Sequence, residues 1–157
     1  MMHPDDDSYV TDGEIKALGS AEEQWHDAAD SFIKANYGHL NIQQIAFITG
    51  LFNKDHGPDE FFQLASFIQD YAADLSERDF RPYSQRGDMV VRPAHYSQFP
   101  MEPTWFIQTN GVDWCRGNAL KYICRYRHKS GIEDLRKAAR YIEMFAKFLL
   151  GETDWSR

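Results

Sequence analysis

Only two cysteines occur in the 157 residues, Cys115 and Cys124. Nine residues apart on one expected helix, they differ too much in angle and rise to bring their sulfurs together. A disulfide framework and a four-cysteine zinc site are therefore both excluded, and buried, inert thiols are expected. No apolar run approaches the roughly 20 residues that span a bilayer. The first ten residues, MMHPDDDSYV, are acidic where a secretory signal is basic and then apolar. A soluble, cytoplasmic protein with no membrane partner is the expectation. Also missing are the phosphate-binding loop G-x-x-x-x-G-K-[ST] and the HExxH, GxSxG and EF-hand patterns. His3, His26, His39, His56 and His128 lack metal-ligand spacing, so no metal site is assigned.

What is present is a globular composition, 43% hydrophobic and 15% aromatic, enough for one sizeable core. The formal charge of −7 conceals a division. Residues 1–90 carry 17 acids against 6 Lys and Arg, a net of −11, whereas residues 91–157 carry 7 against 11, a net of +4. A site for an anionic ligand belongs in the second part.

No segment alternates like a strand, and the periodic segments are helical, so the chain reads as an all-α helical bundle. Residues 1–19 form an acidic tail and 20–78 an N-terminal segment of three helices. The first helix, about 21–36, starts at the capping box Ser20-x-x-Glu23. Asn41 caps the second, with Ile42, Ile45, Ala46, Thr49 and Phe52 as its apolar stripe. Pro58 opens the third, whose stripe is Phe61, Leu64, Ala65, Ile68, Ala72 and Leu75. Residues 79–102 are a proline-rich connection, with a short extended piece at Met89-Val90-Val91. The C-terminal domain, 103–151, has a short helix at 103–110, one from Asp113 to about 129, and a last one with Ile132, Leu135, Ala138, Ala139, Ile142, Phe145, Ala146 and Leu149 inward. Ser130-x-x-Glu133 is read as a second capping box. Gly117, inside a helix, marks the close approach of another backbone or a ligand, since it costs roughly 1 kcal/mol relative to Ala.

The last two helices form an antiparallel hairpin that carries the chemistry. On a wheel, Asn118, Lys121, Tyr122, Arg125 and Lys129 share one face. Asp134, Lys137 and Tyr141 make a second row, and the two rows can meet across a shallow positive cleft containing one carboxylate. Such a cleft suits phosphate, because Arg offers a planar fork and Lys a mobile point charge. The bland alternative is a solvated face on which Asp134 pairs a lysine.

The elements Pro93-x-His95-Tyr96, Gly117-Asn118-x-x-Lys121-Tyr122-x-x-Arg125, Lys129 and Asp134-Leu135-x-Lys137-Ala138-x-x-Tyr141 resemble a family of bacteriophage nucleotide kinases long catalogued as a domain of unknown function. The resemblance covers about residues 91–150. It implies a homo-oligomeric enzyme that moves a phosphoryl group from a nucleoside triphosphate to a deoxynucleoside monophosphate in the cytoplasm of an infected cell. That family has no Walker loop either. Phosphoryl transfer spreads charge over equatorial oxygens, so positioned cations can do most of the catalysis. On that physical ground Lys121 and Arg125 are expected to clamp the transferred and leaving phosphates, with Lys129 and Lys137 at the rim. Asn118 donates to a phosphate or reads a nucleotide edge, and Tyr122 or Tyr141 packs on sugar or base. Asp134 orients a lysine, holds a divalent cation, or does neither; the metal requirement stays open. His95, beside Tyr96, lines the cleft, accepts the phosphoryl group covalently, or simply bonds a backbone carbonyl.

Two rivals are weighed against this. An all-α deoxynucleoside triphosphate pyrophosphohydrolase needs paired carboxylates on two helices; Glu22, Glu23, Asp27 and Asp30 form one cluster with no matching second helix. A non-enzymatic module would use the eight cations against three acids between 113 and 140 to bind nucleic acid or an acidic host protein. The acidic first half repels a long duplex, which disfavours the nucleic acid.

Overall fold

The computed structural model describes residues 27–75 and 98–157. Among these residues every regular element is helical and no strand occurs, so the fold is all-α. Residues 27–35 are helix α1. The acidic tail, the Ser20-x-x-Glu23 box, most of the proline-rich connection, and both His95 and Tyr96 lie outside the described residues. α1 gives way to Asn36 and a 3-10 turn at Tyr37–His39. The Asn36 side chain is buried; its Nδ2 donates to the Met101 carbonyl (2.9 Å) and its Oδ1 accepts from the Met101 amide (3.0 Å). One amide thus fixes where the chain enters the C-terminal half.

Helix α2 is Ile42–Leu51, and Asn41 caps it as expected. Asn41 Oδ1 accepts from the Gln44 amide and Gln44 Oε1 from the Asn41 amide, both at 2.8 Å. The expected apolar face is corrected here. Of the expected stripe Phe52 is buried and Ile45 half-buried, but Ile42 is 76% exposed and Ala46 and Thr49 are also outside, while Gln44, Phe47, Ile48 and Leu51 face inward. Two stripes of this apolar segment fit a helical period, so periodicity does not choose between them. The buried Gln44 marks the choice: its Nε2 donates to the carbonyls of Ile123 (2.9 Å) and Cys124 (3.3 Å). Those carbonyls end a helix and have no partner within it.

Helix α3, Pro58–Asp74, has Pro in its first turn and buries Phe61, Leu64, Ala65, Ile68 and Ala72, the expected stripe, with Leu75 half-buried just beyond. The C-terminal half holds α4 (Pro103–Thr109), α5 (Trp114–Arg125) and α6 (Ile132–Leu149). α5 stops four residues earlier than expected. Its next residue, Tyr126, is buried, and the Tyr126 hydroxyl meets Asn41 Nδ2 (2.7 Å) and the Tyr71 hydroxyl (3.1 Å). Lys129 therefore sits in the exposed turn after α5, not on its face. The second capping box is also replaced. Gly131, at φ 57°, precedes α6, and the carboxylate that reaches back is that of Asp134, whose Oδ2 accepts from the Ser130 amide at 3.1 Å.

α6 makes its most extensive contacts with α3 and with α5. Its stripe from Leu135 to Ala146 is buried, whereas Leu149 is exposed at the open end. Phe61 meets Phe145 edge-on at 5.0 Å, and Phe106 of α4 sits between Phe32 (4.9 Å) and Phe52 (5.8 Å). Helices from both halves thereby share one continuous core. Each fully buried Leu, Ile or Phe there contributes about 2 kcal/mol. Cys115 and Cys124 are buried and unpaired, and burial, aided by Asp113, pushes the Cys115 thiol up to about 11.

Candidate functional site

The site begins at the start of α5. Asp113 Oδ2 accepts from the Arg116 amide at 2.9 Å, the expected cap, and Oδ1 meets Arg116 Nε at 2.6 Å. That pair turns the Arg116 guanidinium inward over Phe145, 4.6 Å from its ring centre. The opposite side of α5 carries Trp114, Gly117, Asn118 and Lys121, one above another at helical spacing. A Cβ on Gly117 would stand 3.0 Å from Ile107 Cγ2. The close approach that this glycine marks is thus a side chain of α4, neither backbone nor ligand. Beside the contact lies an open pocket of about 400 Å³, with Thr104, Ile107 and Gln108 of α4 on one wall and Trp114, Asn118 and Lys121 of α5 on the other. Asn118 Nδ2 already donates to the Trp114 carbonyl at 2.8 Å. That bond uses one of its two N–H groups, so Asn118 can present its amide oxygen and its second N–H to a ligand.

One turn further on, the two expected rows meet. Arg125 donates to Asp134 Oδ1 through Nε (3.2 Å) and Nη2 (3.0 Å). Asp134 is 0% exposed and the Arg125 side chain 12%. The carboxylate serves Arg125 and the Ser130 amide together, so it orients an arginine instead of a lysine. The Tyr122 and Tyr141 rings stack at 5.9 Å and 16°. Around the Tyr122 ring stand the Arg125 guanidinium at 4.5 Å, Lys121 Nζ at 5.4 Å and Lys137 Nζ at 5.6 Å. Such cation–ring contacts are each worth about 1 kcal/mol where exposed. The ring stack and the ion pair fill the space between the rows; the open space lies on the Lys121 side, against α4.

Electrostatics separate the lysines. Burial first, then Arg125 and Lys129, push the Lys121 pKa down, with Asp134 opposing them. Lys137 is pushed up, chiefly by its hydrogen bond to Glu133, with Nζ–Oε1 at 3.0 Å. Lys121 is thus a crowded cation without enough local negative charge. Lys137 is a solvated one with a partner.

Asn118, Lys121, Tyr122, Arg125, Asp134, Lys137 and Tyr141 are brought together on one side of the α5–α6 hairpin. Lys129 acts on Lys121 only through space, from the turn. Trp114, Thr104 and Gln108 are neighbours that sequence reasoning missed. Trp114 was within reach of it, since it lies seven residues before Lys121 on the same helical face; Thr104 and Gln108 depend on how α4 docks. Among the described residues no three His, Cys, Asp or Glu side chains gather where they could hold a metal ion, and no helix is long and apolar enough to cross a membrane.

A family model described as a protein of unknown function (DUF3310) matches residues 90–143, about a third of the chain. The matched span contains every candidate residue from His95 to Tyr141. Neither the curated proteins nor the solved structures contain a match to this chain.

Proposed function

We propose that the protein is a deoxynucleoside monophosphate kinase without a Walker loop, taking the phosphoryl group from a nucleoside triphosphate and working as a homo-oligomer. The observation that carries this reading is the gathering of Lys121, Arg125 and Lys137 about one tyrosine ring, next to an open pocket. The motif resemblance to phage nucleotide kinases supports it from the sequence side. An oxygen of the acceptor phosphate attacks the γ-phosphorus in line. The bond from that phosphorus to the bridging oxygen breaks, and its electron pair leaves with the nucleoside diphosphate. Charge on the equatorial oxygens is met by Lys121, whose low supply of neighbouring anions leaves it ready for one, and by Lys137, whose Glu133 partner is exposed and exchangeable. Arg125 is held rigid by Asp134 and sets the position of the positive field. His95 and Tyr96 complete the proposed set, with His95→Ala turnover as the measure of its part.

Mixing the chain with each deoxynucleoside monophosphate and several triphosphate donors, with and without chelator, and resolving products by chromatography tests the reaction. Diphosphates of both nucleosides are expected, and Lys121→Ala is expected to lower kcat/KM by about 100-fold, the effect of removing one charge-stabilising donor. Normal rates in Lys121→Ala sink the assignment. Release of pyrophosphate identifies a pyrophosphohydrolase instead.

A further inference from the structure

Resting on that reading of the hairpin, we infer that the pocket between α4 and α5 holds the nucleoside of the acceptor monophosphate, with the Trp114 indole stacked on its base and Lys121 meeting its phosphate. Trp114 is the first residue of α5 and is 70% exposed, a large ring that folding leaves in water beside an open pocket. Trp114, Asn118 and Lys121 follow at i, i+4 and i+7, within about 60° of one another around the helix. From Trp114 to Lys121 the helix rises about 10.5 Å. That length is on the scale of a nucleoside monophosphate from the far edge of its base to its phosphate. One helix face therefore presents an aromatic plane, an acceptor and a cation in the order base, sugar, phosphate.

The remaining features agree with this order. Asn118, with its Nδ2 held by the Trp114 carbonyl, offers an acceptor at the middle position, where a sugar hydroxyl supplies a proton. Gly117 lets Ile107 close to 3.0 Å of where a Cβ would stand, so α4 comes near enough to give the pocket a second wall. On that wall Ile107 is apolar and Thr104 and Gln108 are polar, the mixture that suits a flat base with a hydrogen-bonding edge. At about 400 Å³ the pocket takes one nucleotide and not two. Because every base has a π face, stacking on Trp114 separates nucleotides from inorganic phosphate without choosing a base. Base choice falls to Thr104 and Gln108.

Binding of the four deoxynucleoside monophosphates and of inorganic phosphate to the full chain, measured by calorimetry, tests this. Trp114→Ala is expected to weaken every monophosphate about tenfold and to leave phosphate affinity unchanged, while Trp114→Phe, which keeps a ring, stays within about threefold of the native chain. Quenching of tryptophan emission by the monophosphates should vanish in Trp114→Phe and persist in Trp105→Phe. The inference is overturned if Trp114→Ala binds the monophosphates like the native chain, or loses phosphate in equal measure. Monophosphate binding that depends on Lys121 but not on Trp114 overturns it while leaving the kinase reading in place. A native chain that binds no monophosphate overturns both.

Discussion

Lys121, the cation on which the proposed phosphate site rests, is a liability to the fold itself. Its positive form is disfavoured by burial and by the nearby Arg125 and Lys129. A lysine whose pKa falls on folding is destabilising below its folded pKa. That cost is relieved as pH rises through the folded pKa towards the ordinary 10.5 of the unfolded chain. Lys121→Met is therefore expected to be at least as stable as the native chain at pH 7, with a Tm about 1–3 °C higher. The margin should shrink as pH approaches 10.5. Added phosphate should raise the native Tm and leave that of Lys121→Met alone. Thermal unfolding across pH checks this, and a clear loss of stability in the variant at pH 7 contradicts it. The sequence made Lys121 legible as a cation on a polar face. That it is crowded, and that Lys137 is not, depended on where Arg125, Glu133 and the turn at Lys129 come to rest.

At the level of the element, the hairpin is closed by a buried ion pair between the last residue of α5 and the first turn of α6. Removing one partner strands the other in the interior. Asp134→Ala, which removes the buried carboxylate that Arg125 and the Ser130 amide share, is expected to cost about 3 kcal/mol in urea unfolding. The double variant Arg125→Met with Asp134→Leu is expected to recover most of it. A cost for Asp134→Ala below about 0.5 kcal/mol would place the pair among surface contacts. Spacing alone made Asp134 one member of a polar row bordering a shallow cleft, and its full burial was not legible. The reason lies in the turn: α5 stops at Arg125, Gly131 takes a positive φ, and the chain swings Asp134 beneath the arginine. The α2 face was misread for a related cause, because Gln44 faces inward to answer carbonyls from a helix almost 80 residues away.

For the whole molecule, α6 packs on α3 as extensively as on its own hairpin partner, and Phe61 against Phe145 joins the acidic half to the basic one. A fragment spanning 98–157 would expose the side of α6 that α3 covers. It is expected to show weak, non-cooperative helix in circular dichroism, whereas the full chain unfolds in one transition. A fragment that melts cooperatively near the full chain's Tm would make the basic half self-sufficient. The acidic half also supplies Asn36, which fixes Met101 ahead of α4, and so the wall of the pocket depends on it.

Composition and period alone determined that the described residues are all-α, that α3 and α6 bury the stripes they do, that Asn41, Pro58 and Asp113 begin helices, and that cations gather near the C-terminal hairpin. These follow from local rules, since propensity, capping and amphipathic spacing act within a few residues. Only the tertiary structure decided which face of α2 turns inward, that Asp134 is claimed by Arg125, and that the open space lies beside Lys121 and Trp114. Each of those depends on groups far apart in the sequence that must satisfy buried polar atoms or fill volume together, and no local pattern records that requirement.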